Sequence, residues 1–483
     1  MMKKLALIIV GFCGLYGMVS AQTVTNTRQL NESAARLKLS GSINYAKALT
    51  MAKQKGWPLS FKVRNGGKAV LVGVDLFGLP KYYVTFNNTI AAATTSANKL
   101  WPGGSSGLNL TGSSANMKNK LGVWDGGSVL GTHVELVGRV TQKDNPSSSS
   151  DHSTHVAGTL MASGVNAAAK GMAYGLQGLL AYDFFSDLQE QTVEANAGML
   201  VSNHSYGVPA GWVRNESENN RWEFRGKSGD NEDYKFGFYS DETANMDELA
   251  YNAPFYLMVR AAGNPRDVNG PDVGLPYFRY NSQGVMASAG TRPSGISSND
   301  GYDIISLEIG AKNILTVGAV YGIPAGYGRK EDVVVSSFSA WGPTDDGRIK
   351  PDIVADGVNV LSSTNTTTTS YAAYSGTSMA SPNAAGSVFL LQEYYSKLKN
   401  SATAFLRSAS LKGLAIHTAD EAGTTPGPDY KHGWGLLNVK KAADVLTAAV
   451  PSNNASTSAH LLYENTLAQG ASFTTTVIAS GKG

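Results

Sequence analysis

A short segment near residue 378 places a serine where a polar loop turns into a long apolar helix. Gly-Thr-Ser-Met-Ala-Ser-Pro occupies 376–382, and small and apolar residues fill 383–391. A Gly-Thr pair before a helical pattern predicts a helix start, with Thr377 capping free backbone N–H groups. Ser378 then lies in or beside the first turn, where the helix dipole favours negative charge. Pro382 fits such a helix only in its first turn, because it lacks a backbone donor. Alone, this is an ordinary helix start.

A carboxylate stands at the end of an apolar run near position 125. Residues 121–124 are Leu-Gly-Val-Trp, and two glycines follow Asp125. The pattern predicts a buried strand that delivers Asp125 at its C-terminal end, where open α/β sheets place ligands and chemistry. An Asp before Gly-Gly is usually a simple turn, so the neighbouring segments decide its meaning.

Two histidines lie close together in the segment Asp-His-Ser-Thr-His-Val-Ala-Gly-Thr at 151–159. His152 and His155 are three residues apart and would share one helix face, so a metal site is one interpretation. The helical zinc pattern is His-Glu-x-x-His, with a step of four, and no Glu separates these two. We therefore favour separate roles for the two histidines.

Two more apolar runs end in small polar residues. Residues 199–207 are Met-Leu-Val-Ser-Asn-His-Ser-Tyr-Gly, and residues 255–264 are Phe-Tyr-Leu-Met-Val-Arg-Ala-Ala-Gly-Asn. Both patterns predict strands. By itself a Gly-Asn pair indicates a hairpin turn, and a strand that ends in glycine needs no further role. His204 lies in the first run, and we expect it to be structural.

Together these segments resemble the subtilisin-like serine proteases (subtilases). The segment 376–382 resembles the nucleophile motif of that family, whose groups follow in the chain order Asp, His, Ser. The segment 151–159 is similar to the family's His-Gly-Thr-His-Val-Ala-Gly-Thr. Further similar segments are His-Val-Glu-Leu at 133–136, the stretch 337–355 and Trp-Gly-Leu-Leu-Asn at 434–438. The resemblance covers about 120–446, with the motifs in the family's order.

The resemblance implies a role for each polar residue singled out above. Asp125, His152 and Ser378 match the catalytic triad, and Asn264 matches the donor of the oxyanion hole. His155 falls outside the catalytic role, so we expect it to be structural. In the family, a strand edge and neighbouring small residues hold the extended substrate by strand addition. The matching positions here are Ser205, Tyr206, Gly207, Ala262 and Gly263.

The function implied is hydrolysis of peptide bonds in proteins through an acyl-enzyme, an endopeptidase activity. Two other classes remain open. One is a catalytically silent binding or scaffold protein on the same fold. The other is an esterase of the α/β-hydrolase fold, which would require the chain order Ser, Asp, His, whereas the motifs here follow the order Asp, His, Ser. The chemistry requires no cofactor. Calcium is common in the family, but the spacing of residues assigns no calcium ligands.

The chain departs from the family pattern at three positions. Gly126 lacks the hydroxyl that follows the Asp in the family's Asp-Ser/Thr-Gly, Ser153 replaces a glycine, and Asp356 stands where proline is usual. We expect the first change to alter the hydrogen bonds around Asp125 without changing its role. We expect Ser153 to be tolerated because it is small.

Alternating strand and helix patterns predict an α/β fold, a doubly wound and mostly parallel sheet with helices on both faces. The length of 483 residues suggests roughly three domains. We expect a signal peptide at 1–21, a small α+β propeptide-like region at 22–93 and a catalytic domain at 94–450. A change in composition predicts the start of a β-rich, sandwich-like domain at 451–483, cut short, with a disordered tail as the alternative.

The first 21 residues have a basic start, an apolar stretch and small residues before Gln22, which is typical of a secretory signal. A membrane anchor is the alternative. Cys13, the only cysteine in the sequence, lies in this segment, so a mature chain would have no disulfide. The sequence thus predicts a secreted or extracytoplasmic protein.

Within 22–93 we predict a helix at 33–55, with Ala34, Leu37, Leu39, Ala46, Leu49 and Ala52 on its apolar face, and strands at 59–63, 69–74 and 82–86. Such a module resembles a propeptide that assists folding and blocks the cleft; a permanent N-terminal domain is the alternative. Residues 96–120 are predicted to be loop. Residues 208–239 and 265–303 are predicted to be irregular surface insertions.

Charge and hydropathy narrow the range of partners. A formal net charge of +3 gives no reason to expect nucleic acid or an anionic membrane. After the first 21 residues no further run of about 18 apolar residues occurs, so no membrane anchor is expected. The expected partners are protein or peptide substrates, with the chain's own propeptide as inhibitor.

Overall fold

The computed structural model describes residues 25–62, 68–85, 91–450, 462–464, 467–468 and 470–474. The predicted signal peptide lies outside these ranges. So does most of the predicted C-terminal β-rich region. Residues 471–474, where the sequence predicts the start of a strand, are described and form no strand.

The N-terminal part folds into a small module of one helix and three strands, residues 27–85. Its elements are α1 Thr27–Lys55, β1 Ser60–Lys62, β2 Lys68–Val74 and β3 Pro80–Thr85. The strands pair antiparallel in the order β1, β2, β3. The helix and the three strands predicted here are confirmed as far as the described residues extend. We call residues 27–85 the N-terminal module.

Helix α1 begins earlier than the predicted residue 33, because the side chain of Asn26 caps it by accepting a hydrogen bond from the backbone N–H of Gln29. Of the predicted apolar positions, Ala34 and Ala52 are buried, whereas Leu39 is 64% exposed. The buried residues cluster at the two ends of the helix. Its first half packs on the main unit and its second half on β2, so the middle turns bridge the two and face solvent.

The main unit, residues 91–450, contains the remaining regular elements. Its strands are β4 Leu121–Asp125, β5 Val140–Gln142, β6 Leu179–Asp183, β7 Val201–His204, β8 Tyr206–Gly207, β9 Trp212–Asn215, β10 Arg221–Phe224, β11 Leu257–Ala261, β12 Pro276–Tyr280, β13 Met286–Thr291, β14 Leu315–Tyr321, β15 Ile353–Val358, β16 Val360–Ser363 and β17 Tyr371–Tyr374. Its helices are α2 Asp151–Met161, α3 Asp187–Asn196, α4 Asp241–Asn252, α5 Thr377–Leu398, α6 Ser408–His417 and α7 Val439–Ala449.

Seven strands form one parallel sheet in the order β15, β14, β11, β7, β4, β6, β5. Helices α2, α5, α6 and α7 share a hydrophobic core with one face of the sheet, and α3 and α4 share a core with the other. This confirms the predicted doubly wound α/β fold. The C-terminal ends of the strands therefore meet at one edge. Among the described helices, none is long and apolar enough to cross a bilayer.

A second sheet is built from the two segments that we predicted to be irregular surface insertions, and that prediction is wrong. Strands β9 and β10 come from 208–239, and β12 and β13 come from 265–303; they pair in the order β13, β12, β10, β9. Trp212 and Phe224 lie at the centre of a small core between them and are each 1% exposed. The prediction failed because each segment supplies only half of this sheet, so neither looks complete alone.

The N-terminal module is joined to the main unit by a strand pairing. Strand β3 runs antiparallel to β8, with Val84 opposite Gly207 and Thr85 opposite Tyr206. The module's three-stranded sheet thus continues onto the edge of the main unit. Helix α1 adds contacts with α3 and α4.

Candidate active site

Strand β4 and helix α2 bring Asp125 and His152 together at the C-terminal edge of the parallel sheet. Asp125 ends β4, and His152 lies in the first turn of α2, which the Ser150 hydroxyl caps. His152 Nδ1 lies 2.6 Å from Asp125 Oδ1, and both side chains are buried. Because a carboxylate accepts hydrogen bonds, Nδ1 carries the hydrogen and Nε2 is the basic nitrogen. Nε2 has no hydrogen-bond partner among the described residues.

The turn after Asp125 is fixed by Ser153, one of the residues that departs from the family pattern. Its hydroxyl donates to the carbonyl of Gly127 at 2.8 Å and lies 3.2 Å from the carbonyl of Gly126. The N–H of Gly126 in turn donates to Asp125 Oδ1 at 2.7 Å. Ser153 Oγ is also 3.4 Å from that carboxylate oxygen. A hydroxyl from α2 therefore stands beside the Asp that has no hydroxyl next to it in sequence.

Ser378 lies in the first turn of α5, as predicted, but the predicted cap is wrong. The helix starts at Thr377, and the residue before it, Gly376, makes no side-chain cap. The Thr377 hydroxyl is turned instead toward a neighbouring loop. Ser378 Oγ is 1% exposed and donates to the carbonyl of Ser205 at 2.9 Å.

The loop after β11 places Asn264 against the start of α5. Asn264 Oδ1 accepts from both the N–H and the hydroxyl of Thr377, each at 2.8 Å. The Thr377 hydroxyl also accepts from the N–H of Gly263 at 3.0 Å. Because both groups facing it are donors, the oxygen of the amide is identified and Nδ2 points the other way. Nδ2 is buried and has no partner within the described ranges. The arrangement leaves a free donor next to Ser378.

A chain of hydrogen bonds anchors Ser378 to the end of β7. Ser381 Oγ donates to Asn203 Oδ1 at 2.7 Å, and Asn203 Nδ2 donates to Ser205 Oγ at 3.0 Å. Ser205 Oγ then donates to the carbonyl oxygen of Ser378 at 2.5 Å. Pro382 lies beyond the first turn of α5, and its missing N–H would have bonded that same carbonyl four residues earlier. Pro382 thus leaves the Ser378 carbonyl without a helical donor, and the Ser205 hydroxyl donates to that carbonyl instead.

A cavity of about 310 Å³ opens beside Ser378. Four of the predicted substrate-binding residues line it, namely Tyr206, Gly207, Ala262 and Gly263; Ser205, the fifth, contacts Ser378 directly. Its other walls are mostly apolar and include Val208, Ala210, Phe236, Ile304, Ile309 and Phe338. A large apolar side chain fits the chemistry of this cavity.

The two remaining histidines near the site are held in the interior. His155 donates from Nε2 to the carbonyl of Val360 at 2.9 Å. Burial, with a smaller contribution from His152, lowers the pKa of His155 to about 3. His204 bonds Ser202 and Tyr206, and burial lowers its pKa well below the usual range. Both are therefore neutral at physiological pH, and the hydrogen bonds given above tie both to residues other than Ser378.

The site also contains features that sequence patterns did not indicate. One is the hydrogen bond from Thr377 to Asn264, and another is the set of contacts from the Ser153 hydroxyl to the carbonyls of Gly126 and Gly127. Each joins residues that are far apart in the chain. Phe236 and Ala210 line the cavity from a segment that was predicted to be surface; its content of Trp and Phe was the available signal. Among the described residues, no three His, Cys, Asp or Glu side chains are grouped so that they could hold a metal ion.

Comparisons with known proteins show which family this chain resembles. A model of the subtilase family matches residues 105–435. The C5a peptidase of Streptococcus pyogenes serotype M3 is 34% identical over 171 residues, 34% of this chain and 14% of that protein. The PII-type proteinase of Lactococcus lactis subsp. cremoris is 36% identical over 125 residues, 23% of this chain and 6% of that protein. The chain thus spans a small part of either relative.

Among solved structures, the patellamide maturation protease PatA is 20% identical, with a TM-score of 0.45, over 68% of this chain and 97% of that one. The prenylagaramide maturation protease PagA is 18% identical, with a TM-score of 0.43, over 68% of this chain and 92% of that one. The family model matches more than half of the 483 residues. The chain therefore belongs to the subtilase family.

Proposed function

We propose that this protein is a serine endopeptidase that hydrolyses peptide bonds through an acyl-enzyme. The observation that carries the proposal is the 2.6 Å contact between His152 Nδ1 and Asp125 Oδ1, which leaves Nε2 as the basic nitrogen, without a partner among the described residues. A serine hydroxyl is a weak nucleophile at neutral pH and needs such a base. The family supports the same assignment.

In the acylation step, Ser378 Oγ attacks the carbonyl carbon of the substrate while His152 Nε2 takes the hydroxyl proton. Asp125 holds the imidazole in the required tautomer and stabilises the imidazolium that forms. The tetrahedral adduct collapses when His152 returns the proton to the leaving amine. Water then attacks the acyl-enzyme with His152 again as base, releasing the new carboxylic acid and restoring Ser378.

Two donors serve the negative oxygen of the tetrahedral adduct. One is Nδ2 of Asn264, which is buried and has no other partner in the described structure. The other is the backbone N–H of Ser378, in the first turn of α5, where the helix leaves its N–H groups unpaired. In the present structure Ser378 Oγ bonds the carbonyl of Ser205, and His152 Nε2 makes no hydrogen bond to it. We propose that rotation about the Cα–Cβ bond of Ser378 turns Oγ to His152 when substrate binds, because catalytic contacts often tighten only in that complex.

Substrate would bind as an extended strand along Ser205, Tyr206 and Gly207, with the side chain before the cleaved bond in the apolar cavity. We therefore propose a preference for large apolar residues at that position. No cofactor enters any step. The secretory signal that the sequence predicts at 1–21 supports a proposed action outside the cytoplasm.

We further propose that the N-terminal module is a propeptide that inhibits the enzyme before processing. Its strand β3 pairs with the same two residues, Tyr206 and Gly207, that would pair with substrate. Substrate and module would thus compete for one strand edge.

The proposed activity is tested by incubating casein with the full-length chain and with its Ser378→Ala and His152→Ala variants. Casein hydrolysis that each substitution abolishes supports the proposal. Hydrolysis that persists in Ser378→Ala would contradict the proposed role of Ser378. No hydrolysis by folded protein whose module has been released would favour a catalytically silent binding protein.

A further inference from the structure

Strand β3 of the N-terminal module lies where an extended substrate is proposed to bind. Val84 pairs with Gly207 and Thr85 with Tyr206 in antiparallel register. This is the geometry of strand addition, in which backbone bonds set the register and side chains sample pockets along the edge. Resting on the proposed function, β3 is therefore a template that shows which groups of the main unit meet each substrate residue.

Three residues before Val84, the template carries a lysine whose ammonium enters the main unit. Lys81 is 7% exposed, and its Nζ lies 2.5 Å from Glu308 Oε1 and 3.3 Å from Glu242 Oε1. Burial opposes the charge of Lys81, but attraction to these two carboxylates outweighs it and raises its pKa well above the usual value. Two carboxylates of the main unit thus hold the ammonium of a β3 residue at the place where the module docks.

Glu308 depends on this cation. Its side chain is completely buried, and apart from the contact of Oε1 with Lys81 neither carboxylate oxygen has a hydrogen-bond partner among the described residues. Arg260 also lies near Glu308, but its Nη2 pairs with Asp187 at 3.3 Å, and its Nε and Nη1 have no hydrogen-bond partner among the described residues, Glu308 included. When β3 is absent, Glu308 and Glu242 therefore lose the ammonium with which both carboxylates pair. An uncompensated buried carboxylate is strongly unfavourable.

Aromatic rings define the path between this acidic pair and Ser378. Tyr83 of β3 packs on Tyr206 with ring centroids 4.9 Å apart, and on Phe184 at 5.4 Å. The Tyr83 hydroxyl lies 3.3 Å from Lys81 Nζ. Tyr83, the residue before Val84, thus packs against two aromatic rings of the main unit and contacts the ammonium held by the acidic pair.

We propose that Glu308 and Glu242 form a distal subsite for a lysine or arginine side chain of the substrate, three residues before the substrate residue that pairs with Gly207. Lys81 occupies this subsite while the module is in place. The enzyme would then select extended substrates by a positive charge far from the cleaved bond. Substrates too short to reach the acidic pair would lose this contribution.

The test uses two fluorogenic peptides that differ only at this position. One is acetyl-Lys-Tyr-Tyr-Val-Thr-Phe coupled through its carboxyl end to aminomethylcoumarin, which copies the order of residues 81–86; the other has Gln in place of Lys. The full-length chain is assayed in the form that it reaches by its own processing. We expect kcat/KM to be roughly tenfold higher for the Lys peptide, because it alone pairs the buried carboxylate.

The Glu308→Gln variant should lose this preference, with kcat/KM for the Gln peptide largely kept, which also shows that the variant is folded. Glu248→Gln is the matched control: Glu248 lies on α4 like Glu242 but pairs with Arg36 of α1, 2.7 Å away, and not with β3. It should retain the preference for Lys.

The outcomes separate the two proposals. Equal hydrolysis of both peptides, or a preference that Glu308→Gln leaves intact, would overturn the distal subsite while the endopeptidase stands. Hydrolysis of neither peptide by enzyme freed of its module would overturn the endopeptidase and the subsite with it.

Discussion

Ser205 Oγ donates a 2.5 Å hydrogen bond to the carbonyl oxygen of Ser378, the acceptor that the ring of Pro382 leaves without its helical donor. The first turn of α5 is thereby tied to the strand edge proposed to bind substrate. The carbonyl of Ser378 thus accepts its hydrogen bond from a side chain outside α5, where a regular helix would supply a backbone N–H.

Replacing Ser205 with Ala should destabilise the protein, because a buried carbonyl and the amide of Asn203 each lose a partner. We expect a loss of about 1–3 kcal/mol in the free energy of unfolding. Adding Pro382→Ala supplies a backbone N–H four residues after Ser378 and should recover part of that loss. Urea denaturation in the His152→Ala background, which would prevent self-digestion, measures both. Equal stability of the single variant and the parent would contradict this account.

Replacing Asn264 with Ala should slow catalysis and leave substrate binding nearly unchanged. The Asn264 amide donor meets an oxygen that becomes negative only in the transition state, so kcat should fall by about 10²–10³ while KM changes little. Steady-state kinetics on a peptide substrate measures the two constants. Thr377→Val, which removes one bond to Oδ1 but keeps the backbone bond, should cause a smaller loss. A loss in kcat below threefold for Asn264→Ala would exclude this donor.

The hydroxyl of Ser153 should position Asp125 through the turn at Gly126 and Gly127. Ser153→Gly removes the 2.8 Å bond to the Gly127 carbonyl, and we expect kcat/KM to fall about three- to tenfold. The pH profile of kcat/KM should shift as well, because Asp125 orients His152. The double variant Ser153→Gly with Gly126→Ser moves the hydroxyl next to Asp125 and should restore part of the activity. If the double variant recovers no activity and the pH profile of kcat/KM does not change, Ser153 contributes only to packing and does not position Asp125.

Asp356 should make the protein less stable as pH rises. It is completely buried in β15, and burial raises the pKa of its carboxyl well above the usual value. The folded state therefore holds a proton that the unfolded chain gives up near pH 4, so stability falls as pH rises above that value. Asp356→Asn cannot ionise and keeps the acceptor for the N–H of Val358.

Thermal unfolding of Asp356→Asn in the His152→Ala background should therefore show a higher Tm than the parent at pH 7 and a similar Tm near pH 4. Asp346→Asn is a control for which the opposite pH dependence is expected. Hydrogen bonds from Arg348 lower the pKa of Asp346 to about 2, so the ionised carboxylate stabilises the fold above about pH 4, and this contribution is lost as the pH falls toward 2. A Tm difference for Asp356→Asn that does not depend on pH would contradict this explanation.

The parallel sheet and the residues at its C-terminal edge could be predicted because short stretches of sequence indicate both the strands and the residues that follow them. Asp125 ends an apolar strand, and His152 and Ser378 each begin a helix, so short windows locate them. The contacts that tune the site were not predictable in this way. Thr377 bonds Asn264 across more than a hundred residues, and a helix-start pattern suggested a cap instead.

The same limit explains the error in the predicted fold and two contacts that were not predicted. The sheet of β9, β10, β12 and β13 joins two segments that are separated by α4 and β11, so neither segment showed a complete alternating pattern. The pairing of β3 with β8 and the burial of Lys81 against Glu308 likewise join distant positions. A charged residue in a strand gives no signal of such a partner.

The most direct test of the central claim is labelling of the processed full-length protein with a fluorophosphonate, followed by peptide mass mapping. The account predicts one labelled residue, Ser378, with labelling abolished in Ser378→Ala and strongly slowed in His152→Ala. Folded protein that has lost its N-terminal module and takes up no label, or takes it up at another serine, would contradict the claim that Ser378 is an activated nucleophile.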